Sequence, residues 1–576
     1  MTGPIAAAAW PGEIKHRLTP RPDEQVRLCW AVLAVLLAGQ IWIMATRSIN
    51  WDEFFFYSQI ETFRRGEYLA ALQTLHVRLL LWVTKVPGTA VDRILVGRVA
   101  MFAAELVSIA AIIGIATRLG DRLSGLACAL AYASAGFVMQ HGFSFRTDPL
   151  ASGLLMASLW ILACAPMRWK WLALFAVLAG AAPMITIKAV LYFPAFLGLG
   201  WLRWQDLRAS GRSFWPLAFA ALGALAIFGL IYLVHQALLA PGQGLPSAGS
   251  GSDPAATSQS GLIIGEAASR MFDLGGFRYG GYLVAFVLKA VPFVGLIAVS
   301  AALLVAVPTP PHRKVALAGL LATGLAFIYY RNALPYFFPF ILAPVAAGCA
   351  AGARWLLDRY SVHAFVVAAL ATGAFVVATE GESRLDAQRQ LQHGMHAISP
   401  RPAAYFDFPA MFGEYPKANG FLTIWGVERY LEGEPIYGEV LRRQTVPLLV
   451  TNDPAFNPSI SDAMVGGPNA WTFLDQDRRV LQDTYIPYWG PIWIAGEEVG
   501  AGTTRQALIR VPGPYRTENG SLRVDGRMVR EGELVELDRG AHLLANAGQA
   551  PVRLIWGSET RQPGFAPPAR PYWTDF

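Results

Sequence analysis

Apolar residues gather into long runs with short polar breaks between them. A run of about 20 residues with few charges reads as a helix that crosses a bilayer. Eleven such spans are predicted, at about 28–46, 94–117, 123–140, 149–165, 171–186, 188–202, 215–238, 281–307, 315–330, 335–352 and 362–379. The stretch 171–202 fits either two short spans or one re-entrant hairpin. Alternate breaks are short and basic, carrying Arg118/Arg122, Arg168/Lys170, Arg203/Arg208/Arg212, Arg313/Lys314 and Arg354/Arg359. With the basic stretch 1–27 they mark one cytoplasmic side, and the odd number of spans sets everything after residue 380 outside. No small-residue cleavage site follows the first run, so it reads as a permanent anchor.

Three regions of the outer side stand out. Residues 47–93 form a long, semi-apolar loop whose segments Phe54–Leu72 and Leu79–Trp82 suggest helices lying along the interface. Residues 239–278 open with the Gly/Ser/Pro-rich stretch Pro241–Gly261, too poor in apolar groups for a core and suited to a substrate lid. The tail, 380–576, is long enough for one or two compact domains. Its first part, 380–504, mixes helical and strand-like runs such as Val446–Val450 and Tyr488–Trp493. From 505 onward Gln506–Val511, Ser521–Val524, Glu533–Leu537 and Val552–Trp556 alternate with Pro-Gly, Asp-Gly and Arg-Gly turn signals, which predicts a closing β-sandwich over 505–576. The expected architecture is a polytopic α-helical membrane region, 28–379, followed by an extracytoplasmic α/β part and a β-rich part.

Composition agrees with that pattern. Of 576 residues, 54% are hydrophobic and 15% charged, the balance of a membrane protein. The net charge of +7 is modest, and its placement reports orientation better than it reports a nucleic-acid partner. Cys29, Cys128, Cys164 and Cys349 all fall in apolar runs without a Cys or His at metal-ligand spacing, so neither a zinc site nor a disulfide framework is implied. No Gly-x-Gly-x-x-Gly or Gly-x-x-x-x-Gly-Lys-Ser/Thr loop occurs, and no cytoplasmic loop is large enough for a nucleotide-binding domain. That disfavours a nucleotide-driven pump and a soluble nucleotide-sugar donor. A donor already dissolved in the membrane fits better.

Candidate chemistry lies on the outer side. Asp52-Glu53 follows the first span in Asn50-Trp51-Asp52-Glu53-Phe54-Phe55-Phe56-Tyr57. A half-desolvated carboxylate gains basicity and suits proton abstraction. Acids in this place also cap helices. Asp148, in Arg146-Thr147-Asp148-Pro149, reads as a helix start with Asp at the N-cap, and equally as an acid at a helix mouth. Lys188, between apolar runs in Ile185–Val190, either snorkels to the interface or supplies charge to a phosphate. His76 and Arg78 sit similarly in the first loop, and Arg331, in Tyr329-Tyr330-Arg331-Asn332, completes a candidate basic set. Glu105 and Lys289 fall inside spans, where charges point inward and pair structurally.

In these residues the chain resembles the GT-C superfamily, membrane glycosyltransferases with lipid-phosphate sugar donors. It is most similar to protein O-mannosyltransferases and to the aminoarabinose or galacturonic-acid transferases of lipid A. Asp52-Glu53 matches the acidic motif of their first outer loop, and Asp148 the acidic position of the next. Thr186-Ile187-Lys188-Ala189 resembles their Thr/Ser-Lys-Gly-type motif, with departures at Ile187 and Ala189. Their His-Pro-Pro or Lys-Pro-Pro element appears as His76-Val77-Arg78, without the prolines, so the phosphate-contacting role stays open between His76 and Arg78. The resemblance covers mainly residues 28–240.

It implies transfer of a sugar from a polyprenyl phosphate to a hydroxyl of an envelope lipid, glycan or protein, with inversion, on the outer face of a bacterial inner membrane. Asp52 or Glu53 would be the general base, with Asp52 favoured and Glu53 orienting the acceptor or its partner base. Lys188, Arg78 and Arg331 would stabilise the phosphate leaving group. A divalent cation between Asp52 and Asp148 suits carboxylate chemistry without being the favoured reading; no other cofactor than the lipid-linked donor is implied. Two rival readings remain. A lipid-sugar flippase would use the same charges but would be expected to show internal repeats, and none is apparent. A membrane scaffold would use the tail to hold envelope glycan.

Overall fold

The computed structural model describes residues 22–68, 71–239, 280–420, 427, 430–460 and 471–572. Most of the N-terminal stretch 1–27 and, past Leu239, the lid expected over 239–278 lie outside the described residues. Helix α1 (Pro22–Thr46) leads into the first loop, which holds α2 (Trp51–Arg64), α3 (Leu75–Leu79) and a 3-10 turn (Leu81–Lys85). Then follow α4 (Ala90–Leu119), α5 (Arg122–Ser134), α6 (Gly136–His141), α7 (Thr147–Cys164), α8 (Trp169–Ile185), a 3-10 turn (Ile187–Tyr192), α9 (Phe193–Ala209) and α10 (Trp215–Ala237). Further apolar helices occupy Gly280–Lys289, Val291–Ala306, Pro311–Ala322, Phe337–Gly348, Ala350–Arg359 and Val362–Ala378.

Helix occupies each of the eleven expected runs. Counted by length and apolar content, 4 described helices can each cross a membrane, or 6 when two bent pairs are taken as one span each. The run 281–307 is one of those pairs, bent by 102° between Gly280–Lys289 and Val291–Ala306. Pro292 explains the break, because it donates no N–H and its ring crowds the carbonyl of the preceding turn. Run 335–352 bends by 61° and its second half continues to Arg359. Phe337–Gly348 is apolar on every side and buried along its whole length, as a central helix must be. By contrast, only 6% of the apolar window of α10 is buried, so that helix presents its sides outward.

The first loop and the tail fold as one body. Ile49, Phe54, Tyr57, Val77 and Ile94 share a core with Leu391, Met395, Phe412, Ile494 and Ile555. Ion pairs cross the same seam: Arg47 with Glu380, Arg93 with Glu414, and Arg389 with Asp92 at 2.8 Å. Arg65 adds a hydrogen bond from Nη1 to the Gly413 carbonyl at 2.9 Å.

Within the tail lie β1 (Tyr405–Phe406), β2 (Leu448–Val450), β3 (Tyr485–Trp489), β4 (Ile492–Val499), β5 (Thr504–Ile509) and β6 (Gly513–Glu518). These are followed by β7 (Leu522–Val524), β8 (Arg527–Val529), β9 (Leu534–Leu537), β10 (Gly540–Ala545) and β11 (Val552–Trp556). One sheet runs β1-β2-β4-β11-β6-β9, with β3 also on β4, and the other runs β5-β10-β7-β8. Val499, Leu537 and Leu554 of the first meet Ala507, Leu522 and Leu544 of the second in one core. The expected division at 504/505 is therefore crossed by a sheet, since β4 pairs with β11 from Val499↔Val552 to Gly496↔Ile555. Turn signals mark local breaks in the chain, whereas this ladder joins distant strands.

Truncation after residue 549 removes β11, the strand between β4 and β6. Limited proteolysis with mass spectrometry is expected to show protection lost on both sides of residue 505. Protection retained over 385–500 would instead mark two separate units.

Candidate active site

Asn50 and Glu53 open α2 with a capping box: Asn50 Oδ1 accepts from the Glu53 amide at 3.1 Å, and Glu53 Oε2 accepts from the Asn50 amide at 3.2 Å. The same carboxylate receives a guanidinium fork from Arg98 of α4, Nε to Oε1 at 2.8 Å and Nη2 to Oε2 at 2.6 Å. The Phe145 amide donates to Oε1 at 2.8 Å. Arg98 spends its other donors on the carbonyls of Met44, Arg47 and Ser48, at 3.0, 2.7 and 3.0 Å. Gly97 makes room for this junction, because a Cβ there would stand 2.2 Å from the Phe145 ring. Glu53 and Arg98 are 0% and 1% exposed, so the fork is closed to solvent.

Asp52, one residue earlier, faces a different partner. Its carboxylate pairs with Arg146 Nη1, and Arg146 Nε lies 3.6 Å from Asp148 Oδ2. Lys188 Nζ then donates to both oxygens of Asp148, at 2.8 and 3.0 Å. Acid and cation alternate along this chain. α7 begins at Thr147 with Arg146 at its N-cap, so Asp148 sits in the first helical turn rather than at the cap, where the helix dipole still favours an anion. Lys188 is placed by its 3-10 turn, which the first loop holds through Gln73 Oε1 and the Ile187 amide at 3.0 Å. Arg146 lies 3.3 Å from the centre of the Tyr336 ring and 5.4 Å from that of Phe56. Lys188 lies 5.4 Å from Tyr336 and 5.9 Å from Tyr330.

Exposure ranks the four groups. Asp52 is 11% and Lys188 15% exposed, against 3% for Asp148 and 4% for Arg146. The two ends of the charge chain are its open members. Arg146 already stands between Asp52 and Asp148 where a bridging cation would sit, and among the described residues no group of three His, Cys, Asp or Glu is poised for a metal ion.

His76 is buried, with Nε2 3.0 Å from Gln59 Oε1 and its ring edge against Phe56. Burial pushes its imidazole down to about 3, so the ring is neutral and offers a phosphate no charge. Arg78 turns toward α10 and donates from Nε to His235 Nδ1 at 2.7 Å. That assigns the His235 proton to Nε2, which lies 2.9 Å from Thr74 Oγ1. Beside this pair is a cavity of about 270 Å³, walled by Leu75, Leu230, Ile231, Val234 and Leu238 with Arg78 and His235 as its polar members. Arg331 follows Tyr330, whose ring faces Lys188. Deeper, Glu105 accepts two hydrogen bonds from Gln40 Nε2 at 2.9 Å, and Lys289 Nζ rests 5.7 Å from the Phe137 ring.

Of the residues expected from sequence, Asp52, Asp148 and Lys188 are thus brought into one chain of charge. Glu53 belongs to a separate fork, and Arg78 and His76 to the neighbouring first-loop wall. Sequence reasoning passed over Arg146, Arg98 and Tyr336. Arg98 carried a usable signal, being a charge inside the expected span 94–117; Tyr336 carried none.

A family profile described as dolichyl-phosphate-mannose-protein mannosyltransferase matches residues 79–232. No curated protein matches the chain by sequence. Among solved structures, the chain is similar to ArnT from Cupriavidus metallidurans bound to undecaprenyl phosphate, at 14% identity over 75% of this chain and 95% of that one, with a TM-score of 0.51. It is also similar to the apo oligosaccharyltransferase of Archaeoglobus fulgidus, at 12% identity over 79% and 72% of the two chains, TM-score 0.48. A third similarity is to the arabinosyltransferase EmbB of Mycobacterium smegmatis, at 13% identity over 95% and 65%, TM-score 0.42.

Replacing Arg98 by Ala strands a buried carboxylate and is expected to destabilise the fold by about 3–5 kcal/mol. Thermal unfolding in detergent measures this; a variant as stable as the parent would show the fork to be dispensable.

Proposed function

We propose that the chain is a membrane glycosyltransferase of the GT-C superfamily, supported by the family profile over 79–232 and the fold it shares with ArnT, and that it moves a sugar from a polyprenyl-phosphate donor to a hydroxyl of an envelope acceptor. The observation that carries this reading is the line Asp52–Arg146–Asp148–Lys188, with an acid open at one end and a cation open at the other. Asp52 is the general base. Its carboxylate takes the proton of the acceptor hydroxyl as that oxygen bonds to the anomeric carbon. The bond from that carbon to the phosphate oxygen breaks on the opposite side, its electron pair leaves with the phosphate, and the configuration inverts. Arg146 holds Asp52 in place, and Asp148 holds Lys188.

The leaving phosphate is met by Lys188, with Arg78 and Arg331 completing the basic set. The neutral ring of His76 leaves the cationic role in its segment to Arg78 and steadies Phe56 and Gln59 instead. The apolar cavity beside Arg78 suits the isoprenyl units next to the phosphate. ArnT from Cupriavidus metallidurans is a structure bound to undecaprenyl phosphate, a lipid of the class assigned here. Glu53 acts as a clamp, since Arg98, the Asn50 amide and the Phe145 amide together occupy its carboxylate. The basic breaks support a site and tail on the periplasmic side of a bacterial inner membrane.

The test is a transfer assay with purified protein, labelled polyprenyl-phosphate sugars and envelope lipid, glycan and protein acceptors. Asp52→Asn is expected to lose at least about 100-fold in turnover, the usual worth of a general base. Turnover retained in that variant removes Asp52 from the role, and donor movement across vesicles without transfer supports a flippase instead. Lys188→Ala is expected to weaken donor binding by roughly 10-fold or more, as a lost charge-assisted hydrogen bond does. Separate titrations of donor and acceptor check this, and equal effects on both would argue against a phosphate contact.

A further inference from the structure

Helix α10 turns most of its surface outward, and of its residues only Ala220 and His235 are buried. A polar ring drawn inward on an otherwise apolar helix calls for a purpose. Its hydrogen bonds run in one direction. The Thr74 hydroxyl donates to the Ala71 carbonyl at 2.9 Å, so toward His235 Nε2, also 2.9 Å away, it accepts. The proton thus placed on Nε2 leaves Nδ1 as the acceptor that Arg78 Nε–H reaches at 2.7 Å. In this pose the ring is neutral.

Three cations of the site are matched by acids: Arg98 by Glu53, Arg146 by Asp52 and Lys188 by Asp148. Arg78 is half-buried and has no carboxylate partner among the described residues. Its guanidinium lies 4.8 Å from the centre of the Phe63 ring, and its buried Nη2 has no hydrogen-bond partner among those residues. Such a cation lacks a counter-charge. Tethering α10 does not explain the contact. That helix is already seated on α8, where a Cβ at Gly180 would stand 2.5 Å from the Ala224 carbonyl. A bare tether would also leave Nη2 unsatisfied, which costs at least as much as one hydrogen bond contributes.

The surroundings point to the class of anion. Leu230, Val234 and Leu238 wall the cavity beside Arg78 and are themselves exposed on α10, so this space borders the outward apolar side of the helix. The segment of Arg78 is also tied to the charge chain. Gln73 holds the amide of Ile187, next to Lys188, and His76 packs on Phe56, whose ring faces Arg146.

We propose that His235 is a positioning residue for the donor, and that through it α10 takes part in recognising a phosphate carried on an apolar chain. This rests on Arg78 being a phosphate contact. A neutral acceptor fixes the guanidinium without cancelling its charge, whereas a carboxylate in its place would neutralise Arg78 and compete with the phosphate. Fixing Nε before the lipid arrives also lowers the side-chain freedom lost on binding.

The test titrates the full chain in detergent with undecaprenyl phosphate, using undecaprenol and inorganic phosphate as contrasts. The parent is expected to bind the lipid phosphate more tightly than either contrast; inorganic phosphate bound as tightly overturns the apolar-chain ligand. His235→Leu keeps apolar bulk without an acceptor, and its affinity for undecaprenyl phosphate is expected to fall roughly tenfold, with undecaprenol unaffected. His235→Asn sets an amide oxygen near the place of Nδ1 and is expected to restore most of that loss. Arg78→Ala is expected to be at least as weak as His235→Leu, and joining the two to cost nothing further, because the ring acts through Arg78. Loss of affinity in Arg78→Ala beside parental binding in His235→Leu, or additive losses in the double variant, discards the positioning role alone. Parental affinity in Arg78→Ala discards the phosphate contact and this role with it.

Discussion

The fork between Arg98 and Glu53 settles where every other group of the site can stand. Two charges removed from water are expensive, and their attraction offsets that only when geometry is good and the remaining donors are satisfied. Here Arg98 bonds three carbonyls at the end of α1, while Glu53 also takes the amides of Asn50 and Phe145. One ion pair therefore ties the exit of α1, the start of α2 and the loop before α7 to a point on α4. Asp52 is the chain neighbour of Glu53, and Arg146 that of Phe145, so their pairing follows from the fork.

The second constraint is charge balance at the end of the bundle. Two acids and two cations alternate from Asp52 to Lys188, and each inner member touches a charge of opposite sign on both sides. The rings of Phe56, Tyr330 and Tyr336 keep much of the water away while offering their faces to the cations. In the proposed reaction an incoming phosphate would add negative charge at the Lys188 end, and an incoming hydroxyl would offer a proton at the Asp52 end. The site thus has a direction.

Much of this was legible in the chain because hydrophobic runs and single charges are local signals. The helical segments follow from their apolar length, and Asp52, Asp148 and Lys188 stand out as ionisable groups between apolar runs. What escaped notice depends on long-range contact. Arg146 reads as an ordinary loop arginine until α2 brings Asp52 to it, and Tyr336 reads as one more aromatic at a helix start. The adjacent acids Asp52 and Glu53 look equivalent in sequence, yet a helical turn sends one to Arg146 and the other to Arg98. In the tail, β5, β7, β9 and β11 match runs with clear turn signals, whereas β6 contains a proline and two charges, and β8 is only 3 residues long. The β4–β11 ladder leaves no mark in either strand that names its partner.

The core shared by the first loop and the tail bears on how the protein is made. Ile49, Phe54 and Tyr57 emerge early in synthesis, while Leu391, Ile494 and Ile555, which cover them, emerge hundreds of residues later. Until those late residues arrive, the aromatic start of α2 has only its early neighbours such as Val77, Ile94 and Phe145, with lipid and water over the rest. Half-made chains therefore carry a sticky, incomplete core, and Ile555 of β11, the last of the described strands, is among the residues that complete it.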